Sequence, residues 1–165
     1  MSETVVVVPP APVRTSGVMV FIQALASLAL RFALALPFWK SGLTRWEGFL
    51  KLRPATTYFY QELYKPTLFG KTYAIPYPEI TAFAASAAEI VLPAALVIGF
   101  ATRLSALGLL VMTAVIYTTY QSLGVSPGQW QTETLPWAAM ALALIAYGPG
   151  RLSFDFLIRE SFQGR

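Results

Sequence analysis

Long apolar stretches recur along the chain, each interrupted by only a few polar positions. The first, Val18 to Phe38, has 21 residues, and its strongly polar members are Gln23, Ser27 and Arg31. A helix of about 20 residues rises roughly 30 Å, which matches the hydrocarbon core of a bilayer. The pattern therefore predicts four membrane-spanning segments, at about residues 18–39, 80–100, 103–121 and 131–148.

These segments are predicted to be helices, because a backbone in lipid must satisfy its own hydrogen bonds and the stretches are too long and too uniformly apolar for barrel strands. A tight turn from Gly99 to Arg103 would make the second and third segments antiparallel. The expected fold class is all-α, an integral membrane four-helix bundle. We expect a single transmembrane domain at 18–158, between a mobile N-terminal tail at 1–17 and a C-terminal tail at 159–165.

The connection between the first two segments, residues 40–79, is long and aromatic, with nine of the chain's 23 aromatic residues. Within it, Trp46, Phe49 and Leu50 have helical i, i+3, i+4 spacing, and Pro54 would end the pattern. We therefore expect a short amphipathic helix in the headgroup layer. Two interpretations of the loop stay open: an aromatic belt that anchors the bundle, or a lid over a site that opens on that side.

The composition agrees with a membrane protein and excludes several kinds of chemistry. Hydrophobic residues make up 56% of the 165 residues and charged residues 12%, too few for the surface of a soluble enzyme. The chain has no Cys and no His, which removes thiol chemistry, iron–sulfur ligation and the commonest metal ligands and acid–base groups. The remaining acids are scattered, so we expect no metal site. The net charge of +4 suits anionic lipid headgroups rather than nucleic acid.

The orientation of the chain in the membrane is less strongly indicated. Four spans would put both termini on one side. The loop from Gln121 to Thr134 has no Lys or Arg, which places it outside by the positive-inside rule, yet the first loop on the same side holds six bases. Because the basic C-terminal tail follows a span directly, we expect both termini in the cytoplasm.

Two charges within the predicted spans carry the clearest chemical signal. Arg31 lies seven residues before the loop end of the first span, and Glu89 nine residues past the loop start of the second, so both would lie at a similar depth. An unpaired charge at that depth is costly. We therefore expect a contact between Arg31 and Glu89, direct or through one water. The pair could fix the register of the bundle, or it could form a polar pocket for a ligand headgroup or a proton.

Other polar residues could join that pocket from the same side. Tyr117, Tyr120 and Gln121 lie at the end of the third span. The phenol of Tyr117 could hydrogen-bond a quinone carbonyl or Glu89. The alternative is an interfacial tyrosine whose hydroxyl lies among the headgroups.

Three segments of the sequence resemble the DoxX family of membrane proteins. The segment 31–46, RFALALPFWKSGLTRW, resembles its first-span signature, with Arg31, Lys40 and Gly42. The segment 88–111, AEIVLPAALVIGFATRLSALGLLV, resembles its second, with Glu89, a Gly and a Thr-Arg turn at Arg103. Residues 148–155, GPGRLSFD, resemble its C-terminal signature. The resemblance implies a four-helix bundle in the cytoplasmic, or inner, membrane of bacteria or archaea.

The resemblance also assigns expected roles. Arg31 and Glu89 would belong to the polar core of the family. The other signature residues are expected to be structural: Gly148, Pro149 and Gly150 end the last helix, Arg151 meets headgroups, and Asp155 pairs with Arg103 or Arg151. Some members of the family are the membrane subunit of thiosulfate:quinone oxidoreductase, whereas others are only associated with redox or stress systems.

Two functions are therefore considered. The chain could be a quinone-interacting membrane subunit of an oxidoreductase, with quinone as the cofactor and nothing bound covalently. Lacking Cys, His and a metal cluster, it would need a redox partner in the membrane or periplasm to deliver electrons. It could instead be a non-catalytic anchor, assembly factor or small-molecule conduit in which the pair serves the fold. The lipid bilayer is a partner in either case, nucleic acid in neither, and homo-oligomerisation stays open.

Overall fold

The computed structural model describes residues 16–163, except for the side chains of Gln121, Ser122, Pro127, Gln129, Trp130 and Gln163. The predicted N-terminal tail falls outside this range except for its last two residues. The described chain is mostly helical, and its six α-helices are α1 Gly17–Thr44, α2 Pro54–Tyr58, α3 Pro78–Ile98, α4 Thr102–Ser122, α5 Pro127–Tyr147 and α6 Phe154–Gln163.

The first helix, α1, is longer than its apolar stretch predicts. It begins after Ser16, whose hydroxyl accepts a hydrogen bond from the backbone N–H of Met19 at 3.4 Å, as an N-cap does. It then continues through Pro37 to Thr44, 28 residues in all. Six residues beyond Phe38 add about 9 Å of helix. The helix therefore projects past the predicted membrane exit, and its last turns lie beside the loop.

Three of the helices are long and apolar enough to cross a membrane: α1, α3 and the Thr102–Tyr120 part of α4. The tight connection between α3 and α4 turns at Gly99, which has a left-handed backbone with φ of 78°. The fourth long helix, α5, has 21 residues, of which 131–147 form the unbroken described stretch, and within the described residues it is not among the three.

The four long helices pack in a ring around a shared apolar core. Helix α1 packs along α3 and α4 along α5, while α3 contacts α4 and α1 contacts α5. Close approach of α1 and α3 depends on Gly42, where an added Cβ would lie 2.9 Å from the carbonyl oxygen of Glu89. The core consists of small and branched side chains with one aromatic: Leu34, Ala35, Phe38, Leu96, Ala106, Leu109, Ala141 and Leu144.

The aromatic connection contains two hairpins and a short helix, and the predicted amphipathic helix at Trp46 is wrong. The strands β1 (Trp46–Gly48) and β2 (Lys51–Leu52) pair antiparallel instead, and Leu50 turns the chain with φ of 55°. Pro54 begins α2 rather than ending a helix, because its fixed φ and missing N–H suit the first helical position. Helix α2 continues into a π-helical turn at Phe59–Leu63, and a second hairpin follows, β3 (Thr67–Leu68) with β4 (Lys71–Thr72).

Candidate functional site

The expected contact between Arg31 and Glu89 is wrong, because the register of α1 against α3 separates them. Gly42 faces Glu89, whereas the guanidinium of Arg31 bonds to the carbonyl of Val97. Arg31 and Gly42 are 11 residues apart on α1, or about 16 Å along the helix axis. The sequence predicts Arg31 and Glu89 at a similar depth only if α1 ends near Phe38. The observed continuation to Thr44 brings other residues level with Glu89.

Arg31 instead fastens the C-terminal segment to the end of α3. Its side chain is completely buried, and its two terminal nitrogens donate to the carbonyls of Val97, at 3.2 Å, and Leu152. One helical turn earlier, the hydroxyl of Ser27 donates to the carbonyl of Pro149 at 2.8 Å. These contacts bring the first-span and C-terminal signatures together, and they lie away from the cavity that contains Glu89.

Glu89 forms a partly buried ion pair with Arg45, the residue that follows α1. Arg45 Nε donates to Glu89 Oε2 and Arg45 Nη2 to Oε1, each at 3.2 Å. Glu89 is 3% exposed. Such a two-point contact between guanidinium and carboxylate is directional and fixes the planes of both groups. The carboxylate of Glu89 on α3 is therefore neutralised by Arg45, which lies in the loop after α1.

The Arg45–Glu89 pair lies in the wall of a cavity of about 500 Å³. The π-helical turn covers the cavity, and the guanidinium of Arg45 lies 5.5 Å from the ring centre of Phe59 and 5.7 Å from that of Tyr60. We call this space the Glu89 cavity. Its polar lining residues are Ser41, Arg45, Tyr60, Tyr64, Thr81, Glu89, Thr119 and Tyr120, and most of the remaining lining is apolar.

Burial sets the protonation of the groups that cover the cavity. Burial alone would lower the pKa of Arg45, but the Glu89 carboxylate and the Tyr60 phenol outweigh it, so this pKa lies above its ordinary value. Burial raises the pKa of Tyr60 and of Tyr64 above that of an ordinary tyrosine. The cavity therefore presents a permanent cation and neutral phenols at physiological pH.

The other residues that the sequence indicated as ligand-binding do not all lie at the Glu89 cavity. Tyr120 lines the Glu89 cavity, whereas Tyr117 lines a separate groove between α4 and α5 with Thr113. The side chain of Gln121 lies outside the described residues. Sequence analysis missed Arg45, Tyr60 and Tyr64 as lining residues. The signal for Arg45 was its position: once α1 is continued through Gly42, an arginine just past its end falls level with Glu89.

The signature residues of the C-terminal segment surround the turn between α3 and α4. The expected pairing of Asp155 with Arg103 or Arg151 is wrong, because both carboxylate oxygens accept backbone N–H groups, from Ala101 at 2.7 Å and from Thr102 at 2.8 Å. Asp155 therefore caps the start of α4. Arg103 lies beside Gly148, and Lys40 is exposed on α1.

Comparison with known proteins places the chain in a family. The sequence profile of DoxX matches residues 26–122, from within α1 to the end of α4. A protein of Haemophilus influenzae, described as an uncharacterized protein, is 29% identical over 137 residues, which cover 82% of this chain and 84% of that protein. No solved structure matches significantly. With more than half of its length matched and three apolar helices, the chain is a multi-pass membrane protein that belongs to the DoxX family.

Proposed function

We propose that the Glu89 cavity binds the headgroup of a quinone, and that the chain is a membrane subunit of a quinone-linked redox system, such as one that oxidises a sulfur compound. One observation carries the proposal: a partly buried Arg45–Glu89 pair lies in the wall of a largely apolar cavity beneath an aromatic cover. Ligand pockets typically combine mostly apolar walls with a few fixed polar groups. The proposed site therefore contains Arg45 in place of Arg31, together with Glu89 and Tyr120, which the sequence already indicated.

The residues present fit a quinone in size and chemistry. A volume of about 500 Å³ lies within the range of small-molecule pockets. Quinone carbonyls accept hydrogen bonds, and Arg45, Tyr60 and Tyr64 are donors in their expected protonation states. Apolar side chains such as Val115, Ile116 and Trp137 would contact the ring and its tail.

The chain's own residues would manage charge and protons. A bound quinone would supply two-electron chemistry, since a quinone that accepts two electrons and two protons becomes the quinol. Arg45 would stabilise negative charge that develops on the carbonyl oxygen, and the carboxyl group of Glu89 would deliver or accept a proton at one of its oxygens. Because the chain has no Cys or His, a partner protein would supply or remove the electrons.

The same proposal includes a fourth membrane span. Helix α5 packs along α4, and its 21 residues rise about 31 Å, enough to cross a bilayer. Four spans would place both termini on one side, which we propose to be the cytoplasmic side of the inner membrane. The cover of aromatic residues over the Glu89 cavity would then lie on the outer side.

The second candidate is a non-catalytic anchor, assembly factor or conduit. It is favoured by the way that Arg45 and Glu89 satisfy each other, which a purely structural pair would also do. Removing both charges discriminates between the two functions. Replacing a buried ion pair by apolar residues of similar volume is often neutral for stability, whereas removing one partner strands the other charge.

The test is binding of decylubiquinone to the purified protein in mild detergent, followed by quenching of tryptophan fluorescence. Replacing the pair in the double variant Arg45→Met/Glu89→Leu should weaken binding at least tenfold, since a hydrogen bond to a charged group contributes about 1.5–3 kcal/mol. The matched control is Lys51→Met/Glu47→Leu. It also removes one positive and one negative charge, but from an exposed ion pair in the loop that contains Arg45.

The outcome separates the functions if gel filtration shows both variants folded. Loss of binding in the cavity variant with retention in the control supports the quinone site. Equal affinity in all three proteins would reject the Glu89 cavity as that site. No binding by the wild type would favour the anchor or assembly function.

A further inference from the structure

Three arginines line a second cavity, at the opposite end of the long helices from the Glu89 cavity. This space of about 510 Å³ lies between the start of α4, the end of α5 and α6. All three guanidinium-bearing side chains are exposed. We call it the arginine cavity, after Arg103, Arg151 and Arg159.

The arginine cavity carries a net positive charge, because three guanidinium groups line it against the single carboxylate of Asp155. Its acidic lining residue is Asp155, and both oxygens of Asp155 already accept backbone N–H groups of the α4 N-terminus. Within residues 16–163, no ion pair shorter than 4 Å involves any of the three arginines. Arg151 is held with its guanidinium 5.9 Å from the ring centre of Phe156. The cavity therefore offers hydrogen-bond donors to an anion.

The surroundings of the arginine cavity are those expected at a membrane boundary. Two helices able to span a membrane meet there, since α3 ends at Ile98 and α4 begins at Thr102. Large apolar side chains are exposed around it, among them Leu104 at 71%, Leu157 at 58% and Phe162 at 80%. Exposed apolar groups next to arginines fit the level where acyl chains meet phosphates.

We propose that the arginine cavity binds the phosphate of an anionic phospholipid, with the acyl chains lying along the exposed apolar side chains of α4 and α6. Charge complementarity selects this occupant, because guanidinium groups bind phosphate by paired hydrogen bonds and the surrounding surface is apolar. The proposal is independent of quinone binding, because the two cavities share no lining residue.

The test is retention of defined lipids by the detergent-purified protein, measured by native mass spectrometry with phosphatidylglycerol or phosphatidylcholine added at equal concentration. The wild type should retain phosphatidylglycerol preferentially. The triple variant Arg103→Gln/Arg151→Gln/Arg159→Gln should lose most of that preference. A basic residue near an anionic surface contributes about a fivefold change in affinity, so three should give roughly a hundredfold.

The matched control removes three exposed cations from the other end of the molecule, Lys51→Gln/Lys65→Gln/Lys71→Gln, and should retain the preference. If the triple arginine variant does not fold, Arg159→Gln alone tests the exposed helix α6, with an expected loss of about fivefold. The proposal is overturned if either arginine variant retains phosphatidylglycerol as the wild type does. It is also overturned if the control loses as much, or if inorganic phosphate is retained as tightly as the lipid.

Discussion

The buried Arg31 and the partly buried Arg45 are stabilised in two different ways. Arg45 meets a carboxylate, whereas Arg31 meets the peptide carbonyls of Val97 and Leu152. The carbonyl of Val97 lies in the last turn of α3, where carbonyls carry partial negative charge and lack partners within the helix, so a buried cation can satisfy it. The position of Arg31 therefore depends on where α3 ends, which is at Ile98, with Gly99 as its C-cap.

Substitution of Gly99 by alanine should destabilise the fold by about 2–4 kcal/mol. A Cβ at this left-handed position is strained, and it would also overlap the Arg31 guanidinium and lie 2.6 Å from Cβ of Ser153. The matched control is Gly70→Ala, which has nearly the same φ of 75° but nothing within 4 Å of the added Cβ. It should cost only about 1–2 kcal/mol.

Both costs can be measured as the free energy of unfolding in mixed micelles of sodium dodecyl sulfate. A larger loss for the Gly99 variant would show that contact with Arg31 and Ser153 matters beyond backbone strain. Equal losses for the two alanine variants would contradict that interpretation.

At the level of elements, α6 is connected to α4 through one carboxylate. Asp155 lies in the first turn of α6, and its side chain accepts the free N–H groups of Ala101 and Thr102. Its own backbone N–H donates to the carbonyl of Gly99 at 2.9 Å. A single residue therefore connects the C-terminal helix, the turn and the start of a membrane helix.

Asp155→Ala should lower stability by about 0.5–2 kcal/mol, the usual cost of losing a helix cap. The loss should be local, with faster hydrogen exchange at the amides of Ala101 and Thr102. Glu160→Ala is the control, because Glu160 is an exposed acid on the same helix. Unchanged exchange at those two amides in the Asp155 variant would show that the observed cap contributes no protection.

The sequence predicts the long helices well and their register poorly. Apolar stretches of about 20 residues decide where a chain can lie in lipid, and each predicted span overlaps a long helix. The end of α1 is decided by contacts with another element, including the approach of Gly42 to Glu89, which no local pattern contains. The hairpin at Trp46 was missed for a related reason, since three apolar positions are too few to distinguish a helix from a turn.

At the scale of the whole molecule, the two cavities lie at opposite ends of the same ring of helices. One end has the aromatic cover and the Arg45–Glu89 pair, and the other has the Arg31 contacts and the arginine cavity. If α4 crosses the membrane, these ends face opposite compartments, because α4 begins at the arginine cavity and ends at the Glu89 cavity. The proposed quinone and phospholipid sites would then lie towards different leaflets.

Single cysteines introduced into this naturally cysteine-free chain can test that arrangement without background labelling. We expect Lys71→Cys and Gly124→Cys to react with a membrane-impermeant maleimide from one side, and Glu160→Cys only after the other side is opened. The physical reason is that Gly124 precedes α5 and Glu160 follows it, so a single crossing of α5 separates them. Lys71→Cys is the internal reference, because α3 and α4 together cross twice between it and Gly124. Labelling of Glu160→Cys from the same side as Gly124→Cys would show that α5 does not span, leaving three crossings and termini on opposite sides.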